Sequence, residues 1–301
     1  MMKSISPSSA QTYQICPRKY RLQHLERWRG EPSASMAVGS LVDYGVKQVW
    51  TGEKCPELYE PHHNVDEVEI IQAEAMVSGY SKNFIDDQPG THYPDFRIEA
   101  DGFEGILDCL SISPSGRKAL IRELKTTTQK RDLLPNSVRM QTLEMNDQLT
   151  IYSHLVRQHF PEVEEVEISY EVIWRDSYGP KMRKQIRRKK DESEEAYAER
   201  KLENTETFNE YRMRLINGYT TDFEARFAQV RYAPMIAREK ERVHELKHVL
   251  MNMSEDDTYI RNPSACSMYG GCQYLSVCTG QERIEDGNYT KKALQHKQEA
   301  T

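Results

Sequence analysis

The sequence predicts an α/β protein, a central sheet flanked by helices. Three observations lead there. Residues 36–50 and 143–160 space their apolar side chains like amphipathic helices. Residues 96–112 (FRIEADGFEGILDCLSI) and 119–126 (ALIRELKT) have the apolar, alternating texture of strands, and 163–174 (VEEVEISYEVIW) alternates in the same way. Helix, strands, helix and strand then follow one another along the chain.

Taken in order, Ser6 caps the first helix and Pro7 takes its first position. This helix runs toward Cys16-Pro17, and RKYRLQHLERW carries a further helical turn. Residues 30–35 form a loop. The helix over 36–50 has Met36, Leu41, Val42, Val46 and Val49 on its apolar side. Residues 51–67, with His62-His63, make an irregular connection, and 68–86 are helical. Ser113-Pro114-Ser115-Gly116 joins the first two strands, with Pro second and Gly fourth as in a type I turn. Residues 127–142 are a polar loop. After the strand at 163–174, residues 182–187 continue the sheet. Residues 191–250 are helical and charged, interrupted near Asn217-Gly218 and Ala233-Pro234. The expected organisation is one domain over 1–282: a helical part (1–95), an α/β core (96–190), a second helical part (191–250) and a cysteine segment (251–282). A polar tail (283–301) follows.

The 301 residues contain no run approaching the ~20 apolar residues of a membrane span. The N-terminus lacks the apolar stretch of a secretory signal. A cytoplasmic protein with no membrane partner is expected, in a bacterial or virus-infected cell. A net charge of −6 argues against a nucleic-acid partner. The basic residues are segregated, however. Residues 1–30 carry six basic side chains and one acidic, and 181–190 (KMRKQIRRKK) carry seven basic and none acidic. Arg18, Lys19 and Arg21 in the first stretch and Arg183, Lys184, Arg187 and Arg188 in the second are candidate phosphate contacts. Tyr20, Trp28 and Trp174 are candidates for base stacking, with core packing the plainer expectation.

Of six cysteines, Cys266, Cys272 and Cys278 form a C-x5-C-x5-C loop. A three-thiolate loop is one ligand short of a four-thiolate site. Cys16 is the natural fourth, since its basic neighbours favour thiolate. Such a site would tie the two ends of the chain together, and spacing alone fits zinc or iron–sulfur. Cys109 reads as core and Cys55 as incidental.

If the 113–116 turn closes an antiparallel hairpin, Asp108 falls opposite Glu123 on one face. Lys125, two residues on, shares that face, while Leu124 points into the core. Two carboxylates and an ammonium then converge, hard-oxygen chemistry suited to Mg²⁺ or Mn²⁺. The plainer alternative is a salt-bridge ladder on a solvated sheet. Gln148 and Tyr152, four apart on a helix, share a face and could hold a nucleotide phosphate.

Together these pieces resemble the PD-(D/E)XK nuclease superfamily, a restriction-endonuclease-like fold around a central mixed sheet. More narrowly they resemble its RecB-type branch with an iron–sulfur cluster, which includes Cas4, the AddB nuclease domain and the Dna2 nuclease. The matching motifs are S-x-S-…-Y-x-x-C-P-R-K-Y from Ser6 to Tyr20, a helix start at Gly39, G-x-x-D at Gly105 to Asp108, E-x-K-T at Glu123 to Thr126, Q-x-x-x-Y at Gln148 to Tyr152, and the C-terminal cysteines. The resemblance implies Asp108, Glu123 and the Leu124 carbonyl as metal ligands and Lys125 as the catalytic lysine. Gln148 and Tyr152 would complete the site beside the substrate. It also implies a structural [4Fe–4S] cluster on Cys16, Cys266, Cys272 and Cys278, joining the N- and C-terminal segments. Two positions depart from the pattern. Asp43 stands where the branch usually has a histidine ligand, which favours a harder ion. The last cysteines are spaced C-x5-C-x5-C rather than C-x2-C-x5-C.

The function expected is a metal-dependent deoxyribonuclease, an exonuclease on single strands or duplex ends in recombination, repair or processing, encoded by a bacterium or phage. A recombination, helicase or CRISPR-adaptation partner would suit it. The alternatives are a Cas4-like spacer-processing nuclease, a catalytically silent iron–sulfur scaffold on DNA and a zinc-stapled binding module.

Overall fold

The computed structural model describes residues 4–30, 34–52, 65–84, 90–176, 178–255, 258–267 and 271–291. Cys55 and His62-His63 lie outside them. The Ser6 side chain caps α1 (Pro7–Ile15), and the chain turns extended at Cys16 before Pro17 opens α2 (Pro17–Tyr20). A wider helical turn at 21–25 leads to β1 (Trp28–Gly30). Next come α3 (Ala34–Trp50) and α4 (Glu67–Asn83), the latter started by a capping box between Asp66 and Glu69. The sheet begins with β2 (Thr91–Ala100), β3 (Phe103–Ile112) and β4 (Lys118–Thr127). After the short α5 (Val138–Gln141), Asn146 caps α6 (Asp147–His159), which feeds β5 (Glu165–Trp174). The chain continues through α7 (Glu194–Glu203), α8 (Phe208–Thr221), β6 (Phe227–Tyr232), α9 (Ile236–Glu255), α10 (Leu275–Thr279) and β7 (Tyr289–Lys291).

The main sheet runs β2-β3-β4-β5-β6. Only β4 and β5 are parallel, with α6 as their crossover, so the sheet is mixed as expected. One face packs on α1, α6 and α9 through Leu107, Ile121, Leu149, Tyr152 and Leu155. The other packs on α3, α4 and α8 through Leu41, Val42, Val46, Cys109, Leu124 and Tyr219. The predicted core positions of α3 are buried except Met36, which is 64% exposed. Across β4 and β5 the second face holds a buried polar cluster. Glu171 accepts from Tyr80 (2.5 Å), Ser169 (2.8 Å) and Arg122 (3.1 Å), and Trp50 donates to Tyr80 (2.7 Å).

Five expectations need correction. The run 96–112 is two strands, not one. Asp101 and Gly102 both take positive φ and reverse the chain between β2 and β3. Residues 182–187 do not extend the sheet, and Met182 makes a single bridge to Thr205. The fifth strand is β6, hidden in the sequence inside a charged helical stretch. Helix α8 runs through Asn217-Gly218, where Gly218 meets the Arg226 guanidinium. At the end of the chain, β7 pairs with β1 and Ile284 is buried, so order reaches past Arg283. No described helix is long and apolar enough to cross a membrane.

Candidate active site

Between β3 and β4 the sheet opens. Cys109 pairs with Arg122 and Leu110 with Ile121, the register in which Asp108 would face Glu123. The ladder stops one pair short of them. On the other side of β3, pairing with β2 also lapses where Asp95 (φ +50°) meets Asp108. The Asp108 carboxylate takes over from the backbone, its Oδ2 accepting the Leu124 N–H at 2.9 Å. Strand β4 meanwhile stays paired with β5 through Thr127. The result is a cleft walled by the first half of β3 and the second half of β4.

Glu123 and Lys125 project from β4 toward α6, and Leu124 is buried on the opposite face. Glu123 Oε1 accepts from Lys125 Nζ and from Gln148 Nε2, the latter at 2.8 Å. The same Gln148 amide reaches the Tyr152 hydroxyl at 3.1 Å, and that hydroxyl donates to the Ile106 carbonyl at 2.8 Å. Gly105 makes room for this, since a Cβ there would come within 2.6 Å of the Tyr152 ring. The G-x-x-D motif thus supplies a small residue under the tyrosine and a carboxylate at the mouth of the cleft. Gly39 does similar work for α3, where a Cβ would lie 3.3 Å from Thr126 Oγ1.

Asp43, on α3, feels the charge of Asp108 and ion-pairs with Lys47 (2.5 Å). Lys47 also binds Asp95 at 2.6 Å. Neither Lys47 nor Asp95 was among the sequence candidates. The i,i+4 spacing of Asp43 and Lys47 was the available signal for the first. Asp95 is contributed by a kink that no residue pattern announces.

Burial pushes the Glu123 carboxyl up to about 7, aided by Asp108 and Asp43 and opposed by the Lys125 ammonium. Burial likewise pushes Asp43 up to about 6, with Asp108 adding and Lys47 opposing. Desolvation disfavours charge on Lys125, yet Glu123 and Asp108 outweigh it and hold its pKa above the usual lysine value. Burial, then the Glu123 charge, raises the Tyr152 phenol. A cavity of about 480 Å³, lined by Ser6, Ser8, Gln11, Asn146, Gln148 and Tyr152, adjoins this network.

The donor set suits a hard divalent ion. Glu123 is fully buried and its Oε2 has no hydrogen-bond partner among the described residues, an uncompensated oxygen that a cation would satisfy. Among the described residues no three His, Cys, Asp or Glu side chains yet converge on a single point.

The two ends of the chain meet beside the cysteines. Asn262 Nδ2 donates to the Ile15 carbonyl at 2.8 Å, and Arg18 N–H to Ile260 at 3.3 Å. Cys272 N–H donates to the Cys266 carbonyl at 2.8 Å. Burial raises the Cys278 thiol, Arg261 and Arg18 oppose it, and Cys272 and Cys16 add to it. Cys278 lies near Cys272 and Cys16, but among the described residues no three thiols form a group that could hold a metal ion, so the expected cluster bridging the chain ends is not seen. Cys109 is buried in the core.

The basic candidates are partly engaged within the chain. Arg183 pairs with Glu210 and Arg188 with Glu194, while Arg21 pairs with Glu26. Lys184 and Arg187 are exposed, and Arg18 and Lys19 are half-buried. Trp174 lies between Lys130 and Arg226, Trp28 packs under Lys291, and Tyr20 lies against Tyr13 and His24.

Residues 4–279 match the family model of the PD-(D/E)XK nuclease superfamily. The chain belongs to the PD-(D/E)XK nuclease superfamily. Among solved structures, one similar chain is a protein from Eubacterium rectale to which exonuclease activity is provisionally ascribed. It is 12% identical, with 88% of this chain and 86% of that one covered and a TM-score of 0.48. No curated protein is significantly similar in sequence. Membership in the PD-(D/E)XK nuclease superfamily carries the association with nuclease chemistry and leaves the branch, the metal and the substrate to the residues.

Proposed function

We propose that this member of the superfamily is a divalent-metal-dependent deoxyribonuclease that hydrolyses phosphodiesters at single strands or duplex ends. The observation that carries the reading is the Gln148–Glu123–Lys125 network beside Asp108 in the opened sheet. A scattered salt-bridge ladder would have no reason to bury Glu123 completely or to leave its second oxygen unpaired.

Asp108, Glu123, the Leu124 carbonyl and Asp43 would hold Mg²⁺ or Mn²⁺, which polarises a phosphoryl oxygen and lowers the pKa of bound water. Gln148 fixes Glu123 through Oε1 and so keeps Oε2 turned to the ligand position. Lys125 stays protonated and offsets the negative charge that develops on the phosphate. Tyr152 stays neutral and locks the Gln148 amide and the Ile106 backbone in place. The adjoining cavity gives the strand flanking the cleaved bond a place to lie. Lys184 and Arg187, with Arg18 and Lys19, supply sequence-independent phosphate contacts, and Arg21, Arg183 and Arg188 contribute less because their charges are matched within the chain.

Cys16, Cys266, Cys272 and Cys278 hold a structural [4Fe–4S] cluster in this reading, which relates the chain to the RecB-type, Cas4-like branch. The donor chemistry and the junction of the chain ends support it. A brown preparation with broad visible absorption would agree, and a colourless one with stoichiometric zinc would replace the cluster with a zinc staple.

Protein purified without oxygen is to be incubated with end-labelled single- and double-stranded DNA and Mg²⁺ or Mn²⁺. Shortening of either substrate is the expected result. Binding without cleavage under every condition would favour a silent scaffold, the reading favoured by the ion pair that holds Asp43 on Lys47.

A further inference from the structure

Lys47 is placed unlike an ordinary surface lysine. Its ammonium bridges Asp43 Oδ2 at 2.5 Å and Asp95 Oδ1 at 2.6 Å, and its side chain is only 13% exposed. The bridge joins α3 to the kink in β2 where the ladder to Asp108 lapses. Asp95 adopts φ +50°, a region that non-glycine residues seldom occupy. The kink turns this carboxylate toward the lysine.

Four carboxylates line the cleft and feel one another's charge: Asp43, Asp95, Asp108 and Glu123. Two are bridged by Lys47, and a third, Glu123, contacts Lys125. With both lysines charged, the group has an excess of two negative charges when fully ionised, the charge of one divalent ion. The polar atom that asks for a ligand is Glu123 Oε2, fully buried and without a partner among the described residues. Asp43 Oδ2 and Asp95 Oδ1 already have their cation.

We infer that Lys47 stands as a fixed internal cation where a second metal ion would otherwise bind, so the site takes one divalent ion. The inference rests on the metal-dependent reading above. An ammonium tethered to its own helix is present at high effective concentration. A second ion would have to displace it from two carboxylates and leave it buried beside a dication, an unfavourable exchange. Lys47 is thus a positioning residue that sets the number of ions the cleft takes.

The test counts Mn²⁺ ions on the full-length protein without DNA, by titration and by electron paramagnetic resonance. Wild type should bind one ion in the cleft, with an uncoupled spectrum. Lys47→Met keeps most of the aliphatic stem and frees Asp43 and Asp95, and should bind two ions with the spin-coupled spectrum of a close pair. Lys47→Gln provides a second variant should the methionine protein not fold. Two coupled ions in wild type, or one ion in both variants, would overturn the inference and leave the metal-dependent reading standing. No cleft ion in any of the proteins would remove that reading and the inference with it.

Discussion

Gly105 lies directly under Tyr152, where an added Cβ would stand 2.6 Å from ring carbon Cε1. The contact ties the floor of β3 to the helix that presents Gln148. Gly105→Ala should displace the tyrosine and with it the amide on Glu123. We expect activity to fall by about 100-fold, the scale on which a misplaced catalytic group is felt. Overpacking should cost about 1–3 kcal/mol of stability. In Gly105→Ala/Tyr152→Ala the stability should partly recover in thermal melts while the activity does not. Recovery of both would show that Tyr152 serves packing alone.

Asp108 serves the backbone as well as the ligand position, since its Oδ2 accepts the Leu124 N–H. Asn offers the same acceptor without the charge. Asp108→Asn should keep the fold and lose metal-induced stabilisation, measured as the shift of Tm with Mg²⁺ or Mn²⁺. Asp108→Ala should lose the ion and in addition about 1–3 kcal/mol, because the Leu124 N–H is left without its acceptor.

Glu123, at about 7, and Asp43, at about 6, both lie above the ordinary carboxylate range. Folded protein therefore binds more protons than unfolded protein between about pH 4 and 7. The stability from the neutral carboxyls is present in full below their unfolded pKa values, and is lost as pH rises through 6 and 7. Metal-free protein should melt several degrees higher at pH 5.5 than at pH 8. The difference should shrink in Glu123→Gln, and Mg²⁺ at pH 8 should restore the loss. An equal difference in wild type and Glu123→Gln would remove Glu123 as its source.

On the opposite face, Arg122 and Glu171 are both buried and joined at 3.1 Å. Glu171→Ala removes a buried partner of the guanidinium together with the acceptor of the Tyr80 and Ser169 hydroxyls, and should cost about 3–5 kcal/mol. Arg122→Met/Glu171→Leu should recover most of it in denaturant titrations, with activity near wild type, because neither residue reaches the cleft.

Much of this was legible in the chain. The register that sets Asp108 against Glu123 follows from one turn, and the structure keeps that register up to the pair before it. The i,i+4 spacing of Gln148 and Tyr152 put both on one helix face, and Gln148 does contact Glu123. What the sequence concealed depends on tertiary context. Asp101-Gly102 is a two-residue reversal inside an unbroken apolar run. Strand β6 is six residues amid charged helices and exists because β5 has a free edge. Asp95 enters the site only because β2 kinks, and Arg183 and Arg188 lose free charge to acids on α7 and α8. Met36 fits the helical period but sits at the end of α3, beyond the reach of the core.

The most direct test is cleavage of end-labelled DNA with Mg²⁺ by wild type and Lys125→Ala, purified in parallel and matched by Tm. The lysine carries the charge that meets the developing phosphate anion, so its loss should lower the rate by about 100-fold or more while Mn²⁺ binding persists. Equal cleavage by the two proteins would contradict the account, because the activity would then arise somewhere other than the cleft of Asp108, Glu123 and Lys125.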